Sequence, residues 1–366
     1  MGNKGGAGRR QTLAALGVAV LLQSACGGSS SEPGPATGAS AAATGDEEEA
    51  PTTERRVFAP RVNGQPVLRG ISYGPYREGQ RPGGPDPSEE EILEDLRILA
   101  ERWQMLRIYG SPPPAETIVR LVREHDLPLK VMVGAWIEPE SRDGNPIPSH
   151  VAANATQVRE AIRLANAYPD VVTAVNIGNE SQVFWSAHRT APEVLIGYLR
   201  QTRAAIEQPV TTADDYNFWN KPESAAVAAE VDFLLLHAYA MWNRQQLGEA
   251  VEWTAQVVRD IAAAHPDLKI VIGETGWATV LDPDASGDEA TQIVGSAGEE
   301  EQRVFYEGFM AWAEEAQVPY FYFEAFDEPW KGGEDPRGVE KHWGLYTVDR
   351  EPKLAIREPS ASAAAP

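Results

Sequence analysis

The sequence predicts a (β/α)8 barrel, and three observations carry that prediction. Short, continuous apolar runs alternate with amphipathic helical stretches from Val67 to Phe326, the pattern of parallel strands buried on both faces. Eight such runs can be counted, which is the number that closes a barrel of this type. The first run continues as GISYGPY and lacks the G-x-G-x-x-G loop that the rival doubly wound nucleotide-binding sheet requires.

Taken in chain order, residues 1–26 read as an export signal. Lys4, Arg9 and Arg10 precede an apolar run at 12–22, a length that suits a signal-peptide core and is too short to span a bilayer. Ser24 and Ala25 then lead into Cys26, the only cysteine, so a disulfide within one chain and a cysteine-based zinc site are excluded. The segment resembles a bacterial lipoprotein signal, which implies lipidation of Cys26 and a membrane-tethered protein of the cell envelope. An ordinary cleaved signal with an incidental cysteine, giving plain secretion, is the other reading. Residues 27–55 are rich in Gly, Ser, Ala, Pro and Thr with an acidic run at 46–49, the composition of a flexible tether.

The catalytic body is expected over 56–356, with a tail at 357–366. Its candidate strands are 67–74, 105–110, 129–137, 171–179, 210–214, 232–239, 269–276 and 320–326. Helical patterns lie between them, for example at 87–103, 151–167, 191–207 and 248–264. The first has Asp86 or Ser88 placed to cap it and Glu89, Glu90 and Glu91 in its first turn, where negative charge favours the positive helix end. The chain is expected to act as a monomer.

With 54 acidic against 32 basic residues, the formal charge is −22. Nucleic acid needs a basic face that releases counterions, so it is excluded as a partner. A neutral polysaccharide is indifferent to this charge.

Catalytic groups of such barrels gather at the C-terminal ends of the strands. Here those ends are rich in polar and aromatic residues, including Tyr109, Trp136, Asp214, His237 and Glu324. Glu180 closes VNIGNE on the fourth run and Glu274 closes IVIGET on the seventh. Retaining glycoside hydrolysis needs two carboxyl groups about 5–5.5 Å apart across the scissile bond, and the fourth and seventh strands face each other across a barrel mouth. Trp136, Trp242, Trp277 and Trp330 also fall at strand ends, where an aromatic face could stack on a pyranose. No two of the six histidines show a metal-binding spacing. His237 reads as a cleft or core residue, and no cofactor or metal is called for.

The segments GISYGPY, LRIYG, VNIGNE, HAYAMW, IGETGW, FEAFDEPWK and HWGLY span 70–346. In these segments the chain resembles glycoside hydrolase family 17, the β-1,3-glucanases and related glucanosyltransferases. The resemblance implies a β-glucan as partner, Glu180 as acid/base and Glu274 as nucleophile. It implies Asn179 on the substrate 2-hydroxyl, and Arg107 and Tyr239 flanking Glu274. Tyr73, Trp242, Trp277, Glu328, Trp330 and Lys331 are the further substrate-binding positions it suggests. Hydrolysis and transglycosylation share one intermediate and both stay open. Two other readings remain: a β-1,4-glucan or β-mannan hydrolase of the same clan, and an inactive glucan-binding lipoprotein.

Overall fold

In the computed structural model, which describes residues 54–357, eight parallel strands close into a barrel in chain order. They are β1 (Arg69–Ser72), β2 (Met105–Ile108), β3 (Lys130–Ala135), β4 (Val172–Asn179), β5 (Val210–Asp215), β6 (Leu234–His237), β7 (Ile270–Glu274) and β8 (Tyr320–Tyr322). Each predicted run coincides with one strand. The eighth strand is much shorter than its apolar run. After Tyr322 the chain leaves the ladder to line the barrel rim, where Phe323 N donates to Thr275 O and Ala325 N to Ser72 O. The expected signal with Cys26, the tether up to residue 53 and the tail from residue 358 lie outside the described residues.

Six longer helices cover the barrel: α1 (Glu89–Ala100), α2 (Ala115–Glu124), α3 (Pro148–Ala167), α4 (Pro192–Ala205), α5 (Leu247–Ala264) and α6 (Glu299–Glu315). Ser88 begins α1 with a capping box. Its hydroxyl accepts from Glu91 N, and its own N–H donates to the Glu91 carboxylate, so orphan donors at the helix start are satisfied. Proline opens the first turn of α3 and α4, where its missing N–H costs nothing. Only two short helices, Tyr216–Trp219 and Ser224–Ala228, stand between β5 and β6.

Strand alternation divides the core in two. Outward residues such as Leu106, Val133, Leu236 and Ile272 pack under the helices. Inward Met105, Met132, Ala174, Ala213, Leu235, Val271 and Phe321 form a separate cluster with Phe58, Val62 and Phe233. Phe58 stacks on Phe233 at 4.5 Å, so the segment around the hairpin Arg61–Val62/Gln65–Pro66 plugs the bottom of the barrel. Because the period is two, the next inward residues up β2 and β6 are Arg107 and His237, followed by Tyr109 and Tyr239. The site is therefore the layer directly above the apolar plug.

Candidate active site

Two backbone irregularities aim the carboxylates. In β7 the inward position after Val271 is Gly273. A Cβ there would lie 2.7 Å from Leu235 Cγ and 3.1 Å from His237 Cδ2, so glycine makes room for His237 near the axis. In β4 the register against β5 shifts between Asn176 and Asn179. Gly178 takes φ +82° there and Glu180 takes φ +48°. This bulge turns Asn179 inward and lifts Glu180 to the rim. Buried Asp214 fixes the turn by accepting from Gln182 N at 2.8 Å, Val183 N at 3.2 Å and Asp215 N at 2.9 Å.

Glu274 sits in a dense set of donors. Its Oε1 accepts from Arg107 Nη1 at 2.6 Å and Tyr109 OH at 2.9 Å, and its Oε2 accepts from Tyr239 OH at 2.6 Å. The second arm of Arg107 donates to Asn179 Oδ1 at 2.6 Å. One guanidinium thus orients groups on β4 and β7 together, a task that suits its rigid planar fork. Glu180 Oε1 lies 3.0 Å from His237 Nδ1, while Nε2 of the same ring faces Glu274 Oε1 at 3.3 Å without closing a well-directed hydrogen bond. An oxygen of Glu180, an oxygen of Glu274 and a His237 nitrogen all lie within 4.8 Å of one another.

The same surroundings drive the two carboxyls apart in acidity. Burial would raise Glu274, but His237, Arg107 and the bonds from Tyr239 and Arg107 bring it down to about 2. Burial holds His237 itself down to about 4, so the ring is neutral near pH 7. Arg107 is then the permanent cation that keeps Glu274 ionised. Glu180 moves the other way: burial and the neighbouring Glu274 charge raise it well above the usual range, opposed only in part by Arg107. A protonated Glu180 can donate to His237 Nδ1, leaving the Nε2 proton pointed at Glu274. This tautomer gives the Glu180 proton an acceptor and turns an N–H toward the ionised Glu274. Nearby Asp215 is pushed up to about 7 by burial and by Glu180. Glu180, His237 and Glu274 are the one group among the described residues close enough to share a cation. Their atoms are already committed to one another, and the adjacent Arg107 charge disfavours a metal ion.

The loop after β8 adds a second charged group. Lys331 Nζ pairs with Glu324 Oε2 at 2.7 Å and Glu328 Oε2 at 2.6 Å, and lies 4.4 Å from the Phe323 ring centre. Gly74 admits Glu328, since a Cβ there would lie 1.9 Å from its Oε1. Half-buried Trp330 meets Tyr76 edge-on at 6.0 Å. Trp242 is also half-buried, at the rim after β6. On the far side Trp136 and His188 both bond the Glu138 carboxylate, at 3.0 and 2.9 Å.

Two residues expected to touch substrate lie behind the site. Tyr73 is 1% exposed and its hydroxyl donates to Asp95 of α1. Trp277 is 0% exposed, its indole N–H donates to Ser296 O, and its ring packs against Phe305. In both, the side chain follows the outward phase into the strand–helix layer. Arg107 is likewise fully buried and meets Glu274 and Asn179 from beneath. Sequence reading placed Tyr109 and Asp214 at strand ends without assigning them roles, and missed Glu340 altogether. Burial raises Glu340 to about 6, with Lys331 opposing and Glu274 adding to the rise, which puts it within electrostatic range of both. Its only sequence signal is its place between FEAFDEPWK and HWGLY.

Known proteins share this fold and part of this sequence. The sequence profile of the BtgE/BtgC glycoside hydrolase domain matches residues 70–344. A glucan 1,3-beta-glucosidase of Arthroderma benhamiae is 27% identical over 290 residues, covering 75% of this chain and 87% of that protein. A probable glucan endo-1,3-beta-glucosidase, btgC of Aspergillus clavatus, is 25% identical over 293 residues, and the chain spans 40% of its length. Among solved structures, an endo-laminarinase from Formosa superposes with a TM-score of 0.68 at 27% identity, over 79% of this chain and 85% of that one. A glycoside hydrolase family 17 β-1,3-glucanosyltransferase from Rhizomucor miehei shares the fold, with a TM-score of 0.62 at 22% identity over 79% and 96%.

Proposed function

Because the chain belongs to the BtgE/BtgC glycoside hydrolase family, we propose that it cleaves β-1,3-glucan by double displacement, with Glu274 as nucleophile and Glu180 as acid/base. The observation that carries this reading is the pair of carboxyls at the C-terminal ends of β4 and β7, within 4.8 Å of each other and shifted in opposite directions. That spacing suits the retaining arrangement, whereas an inverting pair needs room for a water between the carboxyls.

In the first step the Glu180 proton passes to the glycosidic oxygen while a Glu274 oxygen attacks the anomeric carbon. Oε2, with Tyr239 as its single partner, is the freer attacking atom. The carbon–oxygen bond to the leaving sugar breaks and a glycosyl-enzyme ester forms. Asn179, oriented by Arg107, is placed to bond the 2-hydroxyl, a contact that strengthens in the transition state. In the second step Glu180, now ionised, takes a proton from water or from an acceptor sugar hydroxyl, which attacks the same carbon and frees Glu274. Water gives hydrolysis and a sugar hydroxyl gives transglycosylation.

The test is a comparison of kcat/KM on laminari- and cello-oligosaccharides of equal length, with products followed by chromatography. Laminari-oligosaccharides are expected to be much the better substrates. Equal or better cleavage of cello-oligosaccharides would reject the β-1,3 assignment and leave the two-carboxylate mechanism standing. Products longer than the substrate, increasing with added acceptor, would mark transglycosylation.

Trp330 serves as a stacking platform for one ring of the chain. Trp330→Ala should cost about 1–3 kcal/mol in transition-state binding, the range for losing a large apolar contact. The readout is kcat/KM on laminaripentaose beside an aryl monoglucoside, with the larger loss on the longer substrate. An equal loss on both would remove Trp330 from the remote subsites.

A further inference from the structure

Ten residues beyond Lys331 in sequence, the buried ammonium of Lys341 donates to three main-chain carbonyls, those of Pro329, Lys331 and Gly333. Two of these contacts measure 2.7 Å. A lysine has three N–H donors and no acceptor, so the group is fully satisfied without a carboxylate partner. The acceptors are alternate residues, which places Trp330 between the first two and makes Lys331 itself the middle one. Over the last two of them the chain turns through Gly332 and Gly333, at φ +65° and +81°. Gly332 packs so closely on the Lys341 neighbour Glu340 that a Cβ would lie 2.9 Å from Glu340 Cβ. Burying a cation is costly unless it is well bonded, and burial does depress the Lys341 pKa, against the opposing pull of Asp335 and Glu78. Without the ammonium, three converging carbonyls would repel one another and the loop would open.

We propose that Lys341 is a positioning residue whose ammonium clamps segment 329–333 and so sets Trp330 and Lys331 against the cleft. The inference rests on the glucan-binding role given above to this rim, and deepens it. A loose loop holds its side chains in the productive pose for a smaller fraction of time, so the first loss is in substrate binding.

The test uses Lys341→Ala in the full chain. Its kcat/KM on laminaripentaose should fall about tenfold, mainly through KM, with Tm little changed. Methylammonium, which can donate from the vacated position, should recover most of that loss. Tetramethylammonium, which has no N–H, should not recover it at the same ionic strength. Unchanged kcat/KM, or a loss that methylammonium does not reverse in a variant with native Tm, would overturn the proposal. Should Lys341→Ala not fold, Gly333→Val carries the test. It strains a left-handed position with open space around it and displaces one carbonyl, so the same KM-led loss is expected and an unchanged KM counts against the clamp. Amide hydrogen exchange over 330–334 needs no sugar and separates this proposal from the substrate assignment. Faster exchange in the variant supports the clamp even if laminari-oligosaccharides prove to be poor substrates, and unchanged exchange refutes it.

Discussion

Glu274→Gln is expected to lower kcat on glucan by roughly 10⁴-fold or more, because the covalent path is lost outright. The amide keeps an oxygen for Arg107 and Tyr109, which now meet Glu274 Oε1 at 2.6 and 2.9 Å. The barrel should therefore stay folded, as circular dichroism can check. What disappears is the ionised oxygen beside Tyr239. The truncated variant Glu274→Ala opens a space in which azide can attack an activated β-glucoside directly. That single displacement should yield the α-glycosyl azide, the inverted product. Turnover of glucan by Glu274→Gln within about tenfold of wild type would exclude Glu274 as the nucleophile.

Glu180→Ala should behave differently on different substrates. On laminari-oligosaccharides, whose leaving alcohols need a proton, kcat/KM should fall by roughly 10²–10⁴-fold, the usual contribution of a general acid. An aryl glycoside with a good leaving group needs little protonation, so it should still form the glycosyl-enzyme and then stall for want of a base. Azide should relieve the stall and give the β-glycosyl azide, of retained configuration. An α product would make Glu180 the nucleophile instead. The pH profile gives a second check. In the proposed mechanism the active form has Glu180 protonated and Glu274 ionised, so wild-type kcat/KM should fall as pH rises through the elevated Glu180 pKa. The acid limb set by Glu274, brought down to about 2, should lie far below it. On the activated substrate the Glu180→Ala profile should lack the alkaline limb.

The barrel and the placing of Glu180 and Glu274 at its mouth were readable in the sequence for one reason: parallel strands buried on both faces write themselves as apolar runs, and polar groups at the rim follow where each run stops. Facing direction was harder to read. Tyr73 and Trp277 stand at strand ends as Tyr109 and Tyr239 do, yet they point into the helix layer. Half of the strand-end residues face outward, and bulges such as the one at Gly178 shift the phase in ways a linear pattern does not show. His237 looked like any isolated histidine, because its role depends on both Glu180 and Glu274, which lie far from it in sequence. Lys341 and Glu340 lie on a short 3-10 turn, Val339–Lys341, outside any strand. Nothing in their local spacing announces that the chain folds back over the rim there. The bottom plug was missed for a similar reason, since Phe58 and Val62 precede the first apolar run.

The left-handed backbone at Glu180 sets stability and activity against each other at one position. A residue with a Cβ at φ +48° is held in a conformation that glycine or asparagine adopts more readily. A search that rewards heat resistance alone would drift toward those residues at 180 and delete the proposed proton donor while relieving backbone strain. Directed evolution of this barrel for thermal use therefore needs selection on turnover at every round, because relieving the backbone just after its fourth strand would remove the carboxyl proposed as its acid.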